Sequence, residues 1–252
     1  MKRQDVILNT ICFSEKLSQG IGQIELLDLV KELDLNRLEI RSEFLTGGYK
    51  ELVEIRERAD ELGISLFFSA NVDFLQGDRV NPELSMYCES AKILGAPFLK
   101  LNIGDASKIS RKTLEEWETT FSSEVELRLE NNQDPLAATL SNCQKVMELV
   151  GEARLPLSFV FDIANWAFVG ESTVEAAQVL GQTTTYLHCK NVKKEGGLLK
   201  VASFFGGELD LLALLDYFPN ADSLALEYPA TLKQLEEDLN RLEEVSFPVF
   251  PD

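Results

Sequence analysis

The sequence predicts an α/β protein folded as a single (β/α)8 TIM barrel, and two observations indicate this fold. Strand-like apolar runs alternate with helix-like segments along the whole chain, at intervals of roughly 30 residues, which is the length of one βα unit. The length of 252 residues is also typical of one such barrel. The eight strand candidates are residues 6–13, 37–44, 65–71, 98–104, 125–130, 157–162, 185–191 and 223–228.

The segments between these strands carry apolar residues three and four positions apart, which predicts helices. They include IELLDLVKEL, YKELVEIRERADELG, PELSMYCESAKILG, LEEWETTF and PLAATLSNCQKVMELVGEA. The expected helix signals are Asp134 before Pro135 as an N-cap, Ser172 with Glu175 as a capping box, and Gly63 and Gly95 as C-caps. No proline-rich or serine-rich linker interrupts the units, so residues 1–252 are expected to form one domain.

A doubly wound open sheet is the alternative fold for a chain of alternating strands and helices. Such folds usually carry a G-x-G-x-x-G phosphate loop after the first strand. The corresponding stretch here, CFSEKLSQGIGQIE, has only Gly20 and Gly22. The closed barrel is therefore favoured over a nucleotide-binding sheet.

The charge of the chain excludes several classes of partner. With 42 acidic and 24 basic residues the formal net charge is −18, which repels phosphate backbones and anionic lipid surfaces. Neither nucleic acid nor a membrane is an expected partner, and no segment approaches the about 20 apolar residues of a transmembrane helix. The N-terminal stretch lacks a signal-peptide cleavage site, and the four cysteines form no C-x-x-C pair, so a cytoplasmic protein with reduced thiols is expected.

Several strand candidates carry charge on one face. In LEIRSEF the residues that share a face are Glu39, Arg41 and Glu43. The same alternation groups Lys100 with Asn102, and Glu126 with Arg128 and Glu130. Because the apolar face of a barrel strand packs against the helices, the charged face is expected to point into the lumen. There the charges either form an ion network that fills the barrel or contact a substrate directly.

Four residues with metal-binding side chains stand near the carboxyl ends of the last four strand candidates: Glu130, Asp162, His188 and Glu227. Active sites of this fold are built at that end of the barrel. Each residue alone has an ordinary explanation, such as a helix cap or a satisfied core group. Together, three carboxylates and one imidazole suit a divalent ion, with Mn²⁺ expected and Mg²⁺, Co²⁺ or Zn²⁺ as alternatives.

Beyond these residues, the sequence resembles the xylose-isomerase-like TIM barrel superfamily of sugar isomerases and epimerases over nearly its whole length. The resemblance rests on the order and spacing of RLEIRSEF, AKILGAPFLKLNIG, LRLENN, FVFDIANW, YLHCKNVK, GGELDLLALL and LALEYP. It implies that Glu130, Asp162, His188 and Glu227 hold the metal. It also implies that Glu130 and Glu227 are catalytic acid and base groups on opposite faces of a small sugar or hydroxy-keto substrate.

The chain departs from this superfamily at one motif. Members often show D-x-x-H after the sixth strand, whereas this chain has Asp162 followed by Ile163, Ala164 and Asn165, so Asn165 stands where the histidine would help to hold substrate. A chain whose only histidine is His188 also cannot supply the trinuclear zinc sites of the related abasic-site endonucleases, and its net charge of −18 argues against them as well.

Five residues are candidates for substrate binding: Lys190, Asn165, Trp166, Arg41 and Lys100. Lys190 shares the strand parity of His188 and is expected to face the mouth of the barrel. Trp166 forms either an apolar wall for a sugar face or part of the core. Lys193 and Lys194 follow in the next loop and are expected to be solvated.

The predicted function is a metal-dependent isomerase or epimerase that acts on a sugar, a sugar phosphate or a keto-polyol and moves a proton next to a carbonyl. A lyase resembling inosose or dehydroshikimate dehydratase, which starts with the same deprotonation, is one alternative. A catalytically silent barrel that binds a metabolite is another. Outer helices of this fold commonly form dimers, so a homodimer is an alternative to the monomer.

Overall fold

The computed structural model describes residues 2–121 and 123–245. Its strands are Val6–Asn9 (β1), Arg37–Arg41 (β2), Ser65–Gln76 (β3), Arg79–Val80 (β4), Phe98–Gly104 (β5), Glu126–Glu130 (β6), Leu157–Asp162 (β7), Thr184–Cys189 (β8), Asn191–Glu195 (β9), Leu198–Ala202 (β10) and Ser223–Leu226 (β11). Eight of them, all except β4, β9 and β10, are parallel and close into a barrel in which β11 pairs with β1. The predicted single (β/α)8 TIM barrel is confirmed.

Helices surround this barrel. They are Ser14–Ser18 (α1), Gln23–Glu32 (α2), Gly48–Leu62 (α3), Leu84–Leu94 (α4), Arg111–Thr120 (α5), Leu140–Ala153 (α6), Asn165–Phe168 (α7), Thr173–Leu180 (α8), Leu211–Leu214 (α9) and Leu232–Glu244 (α10). Their apolar faces pack on the outward-facing leucines, valines and phenylalanines of the strands, and together these residues form the main core. No helix among residues 2–121 and 123–245 is long and apolar enough to cross a membrane.

The lumen has an apolar layer that is separate from the main core. Its six members are Ile7, Phe67, Phe98, Val160, Tyr186 and Ala225. Two residues further along each strand, on the same face, stand Asn9, Ser69, Lys100, Asp162, His188 and Glu227, all of them buried. The period-two alternation of a strand therefore places a polar layer directly above an apolar floor, toward the carboxyl ends of the strands.

Arg128 closes the lumen on the other side of this floor. Its guanidinium lies 3.9 Å from the centre of the Phe98 ring and donates to Glu126 and to Asp222. These contacts form an ion network at the base of the barrel, and an ion network is one of the two expectations for the charged strand face.

Several predicted strands are too long, because local hydrogen bonds turn the chain at their ends. Candidate 6–13 stops at Asn9, whose side chain accepts from the Ile11 amide and starts a 3₁₀ turn. Candidate 37–44 stops at Arg41, so Glu43 lies in a 3₁₀ turn and not on the strand face. Candidate 185–191 stops at Cys189, and Asn191 begins the hairpin of β9 and β10, which the sequence analysis did not predict.

The helix signals were mostly right. Gly63 and Gly95 end α3 and α4 in the left-handed conformation, and the Ser172 side chain caps α8. The N-cap of α6 was wrong: it is Thr139, and Asp134 instead accepts hydrogen bonds from the Leu136 and Ala137 amides of a preceding turn.

Gly104, at the end of β5, is a position where only glycine fits. Its φ is +77°, and a Cβ there would lie 2.2 Å from the backbone oxygen of Leu75 on β3. Gly77, in the turn between β3 and β4, has a similar φ of +69° but open space around a Cβ. Alanine substitutions at the two positions therefore distinguish the cost of the left-handed conformation, which both share, from the cost of steric overlap, which arises only at Gly104.

We expect Gly77→Ala to lower the free energy of unfolding by about 1 kcal/mol, the cost of a left-handed alanine. Gly104→Ala should lower it by a further ~1–3 kcal/mol, because the methyl group must displace the backbone of β3. Urea unfolding followed by circular dichroism measures both. Equal losses in the two variants would show that the close approach of β3 and β5 is not as described.

Candidate metal centre

Four side chains converge at the carboxyl end of the barrel. Glu130 and Asp162 are the last residues of β6 and β7, His188 lies in β8, and Glu227 directly follows β11. Each offers one ligand atom, and these atoms all lie within 4.8 Å of one another, at buried positions. The parallel register places Asp162 beside His188, whereas Glu130 lies beside Val160 and His188 lies beside Ala225. Neighbouring strands therefore deliver the four groups to one end of the barrel with a stagger of two residues at β6 and at β11.

Glu39 on β2 sets the orientation of the imidazole. One of its carboxylate oxygens lies 3.0 Å from His188 Nε2 and also accepts from the Tyr186 hydroxyl, while the other accepts from Asn9 Nδ2 at 2.6 Å. Because Glu39 engages Nε2, the other ring nitrogen, Nδ1, faces Glu130 Oε1 at 2.6 Å and Glu227 Oε2 at 3.5 Å. A second carboxylate that fixes a histidine in this way is typical of metal-binding imidazoles.

Two atoms of the centre lack hydrogen bonds. His188 Nδ1 and Glu130 Oε1 are buried, and neither has a hydrogen-bond partner within residues 2–121 and 123–245. They lie 2.6 Å apart, which is the distance of an ion pair when His188 is protonated. Buried polar atoms are rarely left without a hydrogen bond, and a cation bound by both would satisfy them. The residues present therefore fit a divalent metal ion.

The carboxylates are also held by cations of the chain. Lys100 Nζ lies 2.5 Å from Glu130 Oε2. Lys190 Nζ contacts Asp162 and lies 2.6 Å from Glu227 Oε2, whereas Arg41 Nη1 lies 2.5 Å from Glu227 Oε1. Both oxygens of Glu227 are thus engaged, which restricts its rotation.

The balance of burial and charge differs among the four groups. Burial raises the pKa of Asp162 above its usual range, and the neighbouring Lys190 only partly offsets this. Burial also opposes ionisation of Glu130 and Glu227, but the adjacent lysines and His188 outweigh it and lower the pKa of both. Burial disfavours a charged imidazole, yet the surrounding glutamates raise the pKa of His188 well above its ordinary value. Without a metal, His188 and Asp162 are therefore the two groups of the centre whose pKa is raised.

A cavity of about 680 Å³ opens above this centre. Of the candidate substrate-binding residues, Arg41, Lys100, Lys190 and Asn165 line it, together with the catalytic candidates Glu130 and Glu227. Lys193 and Lys194 are exposed on the hairpin of β9 and β10. The cavity is where a small ligand would meet both glutamates.

Two candidate residues are placed differently from the others. Asn165 is buried, its oxygen accepts from Gln133 Nε2 at 2.9 Å and its amide donates to the Asn131 carbonyl, so it also braces the loop after β6. Trp166 is fully buried, packs against Phe161 with ring centres 5.4 Å apart and does not line the cavity. This placement favours core packing over a sugar-facing wall for Trp166.

Sequence reasoning missed several residues of the site. Tyr186 and Asn9 hold Glu39, and the signal that could have found them is strand parity, because Tyr186 stands two residues before His188 and Asn9 ends β1. Asn71 lies in β3 at an irregularity of its register after Ala70, and Asn132 and Gln133 lie on the loop after β6, so these cavity-lining amides carry no such signal.

Comparisons with known proteins bear on the fold. No protein-family model and no curated protein matches the chain. Among solved structures, the probable 3-DHS dehydratase AsbF involved in petrobactin synthesis, from Bacillus anthracis, superposes with a TM-score of 0.69 at 16% identity, covering 96% of this chain and 99% of that one. The IOLI protein, with a bound zinc atom, superposes with a TM-score of 0.67 at 16% identity, covering 95% of each chain.

A third similar structure is D-psicose 3-epimerase with D-tagatose, from Clostridium cellulolyticum. It superposes with a TM-score of 0.60 at 14% identity, and the match covers 95% of this chain and 97% of that one. A fusion protein with a part described as a xylose isomerase-like TIM barrel matches 100% of this chain, with a TM-score of 0.69 at 14% identity. Identities this low show the fold alone, and at that level the predicted resemblance is confirmed: the chain has the fold of the xylose-isomerase-like TIM barrel proteins.

Proposed function

We propose that the protein is a divalent-metal-dependent isomerase or epimerase that acts on a small sugar or hydroxy-ketone by proton transfer next to a carbonyl. The observation that carries this proposal is the position of Glu130 and Glu227, two buried carboxylates that line one cavity and both lie within 3.5 Å of His188 Nδ1. The fold match to an epimerase whose structure contains a ketose supports a carbohydrate substrate.

Glu130, Asp162, His188 and Glu227 would hold the ion. When bound, a divalent ion supplies a Lewis acid that polarises a carbonyl and so lowers the pKa of the adjacent C–H bond. We propose Mn²⁺ because three carboxylates with one imidazole suit an ion of intermediate hardness, with Zn²⁺, Co²⁺ and Mg²⁺ as competitors in the binding test.

The two glutamates carry the proton transfer. The pKa of each is lowered, once burial is outweighed by Lys100 and His188 at Glu130 and by Lys190, His188 and Arg41 at Glu227. Both are therefore ionised at neutral pH and able to accept a proton. In the proposed reaction one ionised glutamate takes the proton from the carbon beside the carbonyl and later loses it to solvent. The other glutamate first takes up a proton from solvent and then delivers it to the product.

The cysteines support a cytoplasmic location, which remains part of this proposal. All four are free and buried, and burial raises the pKa of Cys12 and of Cys143 to about 12. Thiols in this state are inert packing groups, as expected in a reducing compartment.

The first test concerns the metal. Loss of an outer-shell partner of a metal ligand typically weakens metal binding ~10–100-fold. Asp162→Asn removes a proposed ligand itself and should therefore weaken Mn²⁺ binding by at least as much. Asp222→Asn, which removes a carboxylate at the opposite end of the barrel, is the matched control and should leave the affinity unchanged. Isothermal titration calorimetry of the metal-free proteins measures both affinities. Equal affinity in native protein and Asp162→Asn would rule out Asp162 as a ligand.

The second test concerns protons. In the metal-free protein the pKa of His188 is raised well above its ordinary value and that of Asp162 is raised to about 7, so both groups bind protons more readily than usual, whereas ligation needs them deprotonated. Metal binding should therefore release protons, and the affinity should fall as the pH is lowered through the neutral range. Calorimetry in two buffers with different ionisation enthalpies counts the released protons. Binding without proton release near neutral pH would contradict this assignment.

The third test concerns catalysis. Glu130→Gln and Glu227→Gln keep an oxygen in place, but an amide cannot accept a proton at neutral pH, so turnover should fall by about 10²–10⁴-fold. The assay is deuterium incorporation beside the carbonyl of candidate ketoses in D₂O, measured by NMR. Glu126→Gln, lower on the same strand as Glu130, is the control that should retain exchange.

The outcome of this assay also separates the alternatives. Exchange accompanied by loss of water would identify a lyase that shares the initial deprotonation. Exchange that survives both substitutions in the cavity would show that the proton-transfer roles of Glu130 and Glu227 are wrong. Metal-loaded protein that binds a ketose without exchange would indicate a silent barrel.

A further inference from the structure

Every cation that lines the cavity is already paired. Within the described residues, the lysines and arginines of its wall are Arg41, Lys100 and Lys190. Arg41 contacts Glu43 at 2.6 Å and Glu227 at 2.5 Å, and Lys100 contacts Glu130 at 2.5 Å. Lys190 contacts two carboxylates, as described above. None of these cations is left over for an anionic group of a ligand.

The charge balance of the centre leads to the same result. Four buried carboxylates, Glu39, Glu130, Asp162 and Glu227, face two buried ammonium groups, Lys100 and Lys190, while Arg41 and Glu43 neutralise each other at the rim. With a neutral imidazole, two negative charges remain. One divalent ion balances them fully, so the loaded centre has no excess positive charge, and a phosphate group in the cavity would be unpaired.

The rest of the polar wall consists mainly of amides. Asn71 Oδ1 accepts from Asn102 Nδ2 at 3.0 Å, and Asn132 Oδ1 accepts from the Asp134 amide at 3.0 Å. In both Asn71 and Asn132 the NH₂ group makes no hydrogen bond within residues 2–121 and 123–245. Gln133 likewise uses its NH₂ group on Asn165, which leaves its oxygen as an acceptor. Uncharged donors and acceptors of this kind match hydroxyl groups.

We propose that this site takes an uncharged polyhydroxy ketone and discriminates against sugar phosphates. The inference rests on the proposed function and specifies its substrate class. The carboxylate of Asp134, which also lines the cavity, adds to the repulsion of a phosphate. The site would therefore disfavour a phosphate ester because no unpaired cation lines the cavity, and it would favour a free ketose because the amides of the wall can bind hydroxyl groups.

The test compares matched ligands on manganese-loaded native protein. D-erythrulose and D-ribulose are each titrated beside their terminal phosphate esters in a calorimeter. Short chains are chosen because they keep the phosphate inside the cavity. Each free ketose should bind about tenfold or more tightly than its ester, because burying an unpaired phosphate charge costs more than one factor of ten in affinity.

A matched pair of variants checks the cause. Asn132→Lys places an unpaired cation on the cavity wall and should bring the affinity of the ester to within about threefold of that of the free ketose, a gain typical of an exposed ion pair. Asn220→Lys adds the same charge at the opposite end of the barrel, where the Asn220 side chain donates to the Gln182 carbonyl. It should leave the preference for the free ketose unchanged, and an equal change in both variants would overturn the inference.

The failures of the two proposals are distinguishable. An ester that binds native protein as tightly as its free ketose overturns the inference, and deuterium exchange into that ester would leave the isomerase proposal standing. Preferential binding of the free ketose without deuterium exchange supports the inference on substrate class and counts against proton transfer.

Discussion

The contact between the buried Glu39 carboxylate and the only histidine of the chain, His188, is the interaction on which the centre depends. It joins two strands across the lumen, and it engages Nε2 of the imidazole. Nδ1 is thereby turned to Glu130 and Glu227, so that one contact sets the direction of a candidate ligand. Tyr186 and Asn9 hold Glu39 from two more sides, so the carboxylate has little freedom to rotate.

This interaction is strong because of what lies beneath it. The apolar layer that includes Ile7, Phe98 and Tyr186 fills the lumen below the charged groups and keeps water from reaching them from that side. In such surroundings a charge interacts with its neighbours more strongly than in water, and an unpaired charge costs correspondingly more. Each charged group above the apolar layer therefore needs an oppositely charged partner, because water cannot reach it from below.

The same carboxylates serve the chain's own cations and the proposed ion. Lys100 and Lys190 hold Glu130, Asp162 and Glu227 in place. With Glu39 there are four buried carboxylates against two ammonium groups, so two negative charges remain for either two protons or one divalent ion. Buried ion pairs of this kind contribute little net stability, but they restrict the geometry of the groups they join. The lysines keep a set of repelling carboxylates close together, which would link the folding of the lumen to the proposed metal affinity and to the proposed preference for an uncharged ligand.

Local sequence patterns determined the barrel and the four residues of the centre. Strand and helix periodicity, repeated at one spacing, indicated eight βα units, and the position of Glu130, Asp162, His188 and Glu227 at successive strand ends indicated their convergence. The sequence by itself also showed which strand faces are charged, since side chains alternate with a period of two. Strand ends were less certain, because they depend on side-chain hydrogen bonds such as that of Asn9 to the Ile11 amide.

Only the tertiary structure decided how these charges pair. Arg41 contacts Glu227, which is 186 residues away in sequence, and Glu39 contacts His188, which is 149 residues away, so no local pattern encodes either contact. Lys100 on β5 and Arg128 on β6 both point into the lumen, yet their side chains run in opposite directions. Arg128 pairs with Asp222 at the base of the barrel, whereas Lys100 pairs with Glu130 at the cavity. The position of Trp166 in the core, against Phe161, also became clear only from the tertiary structure. Closure of the barrel brings distant strands together, and only closure specifies which partners each side chain meets.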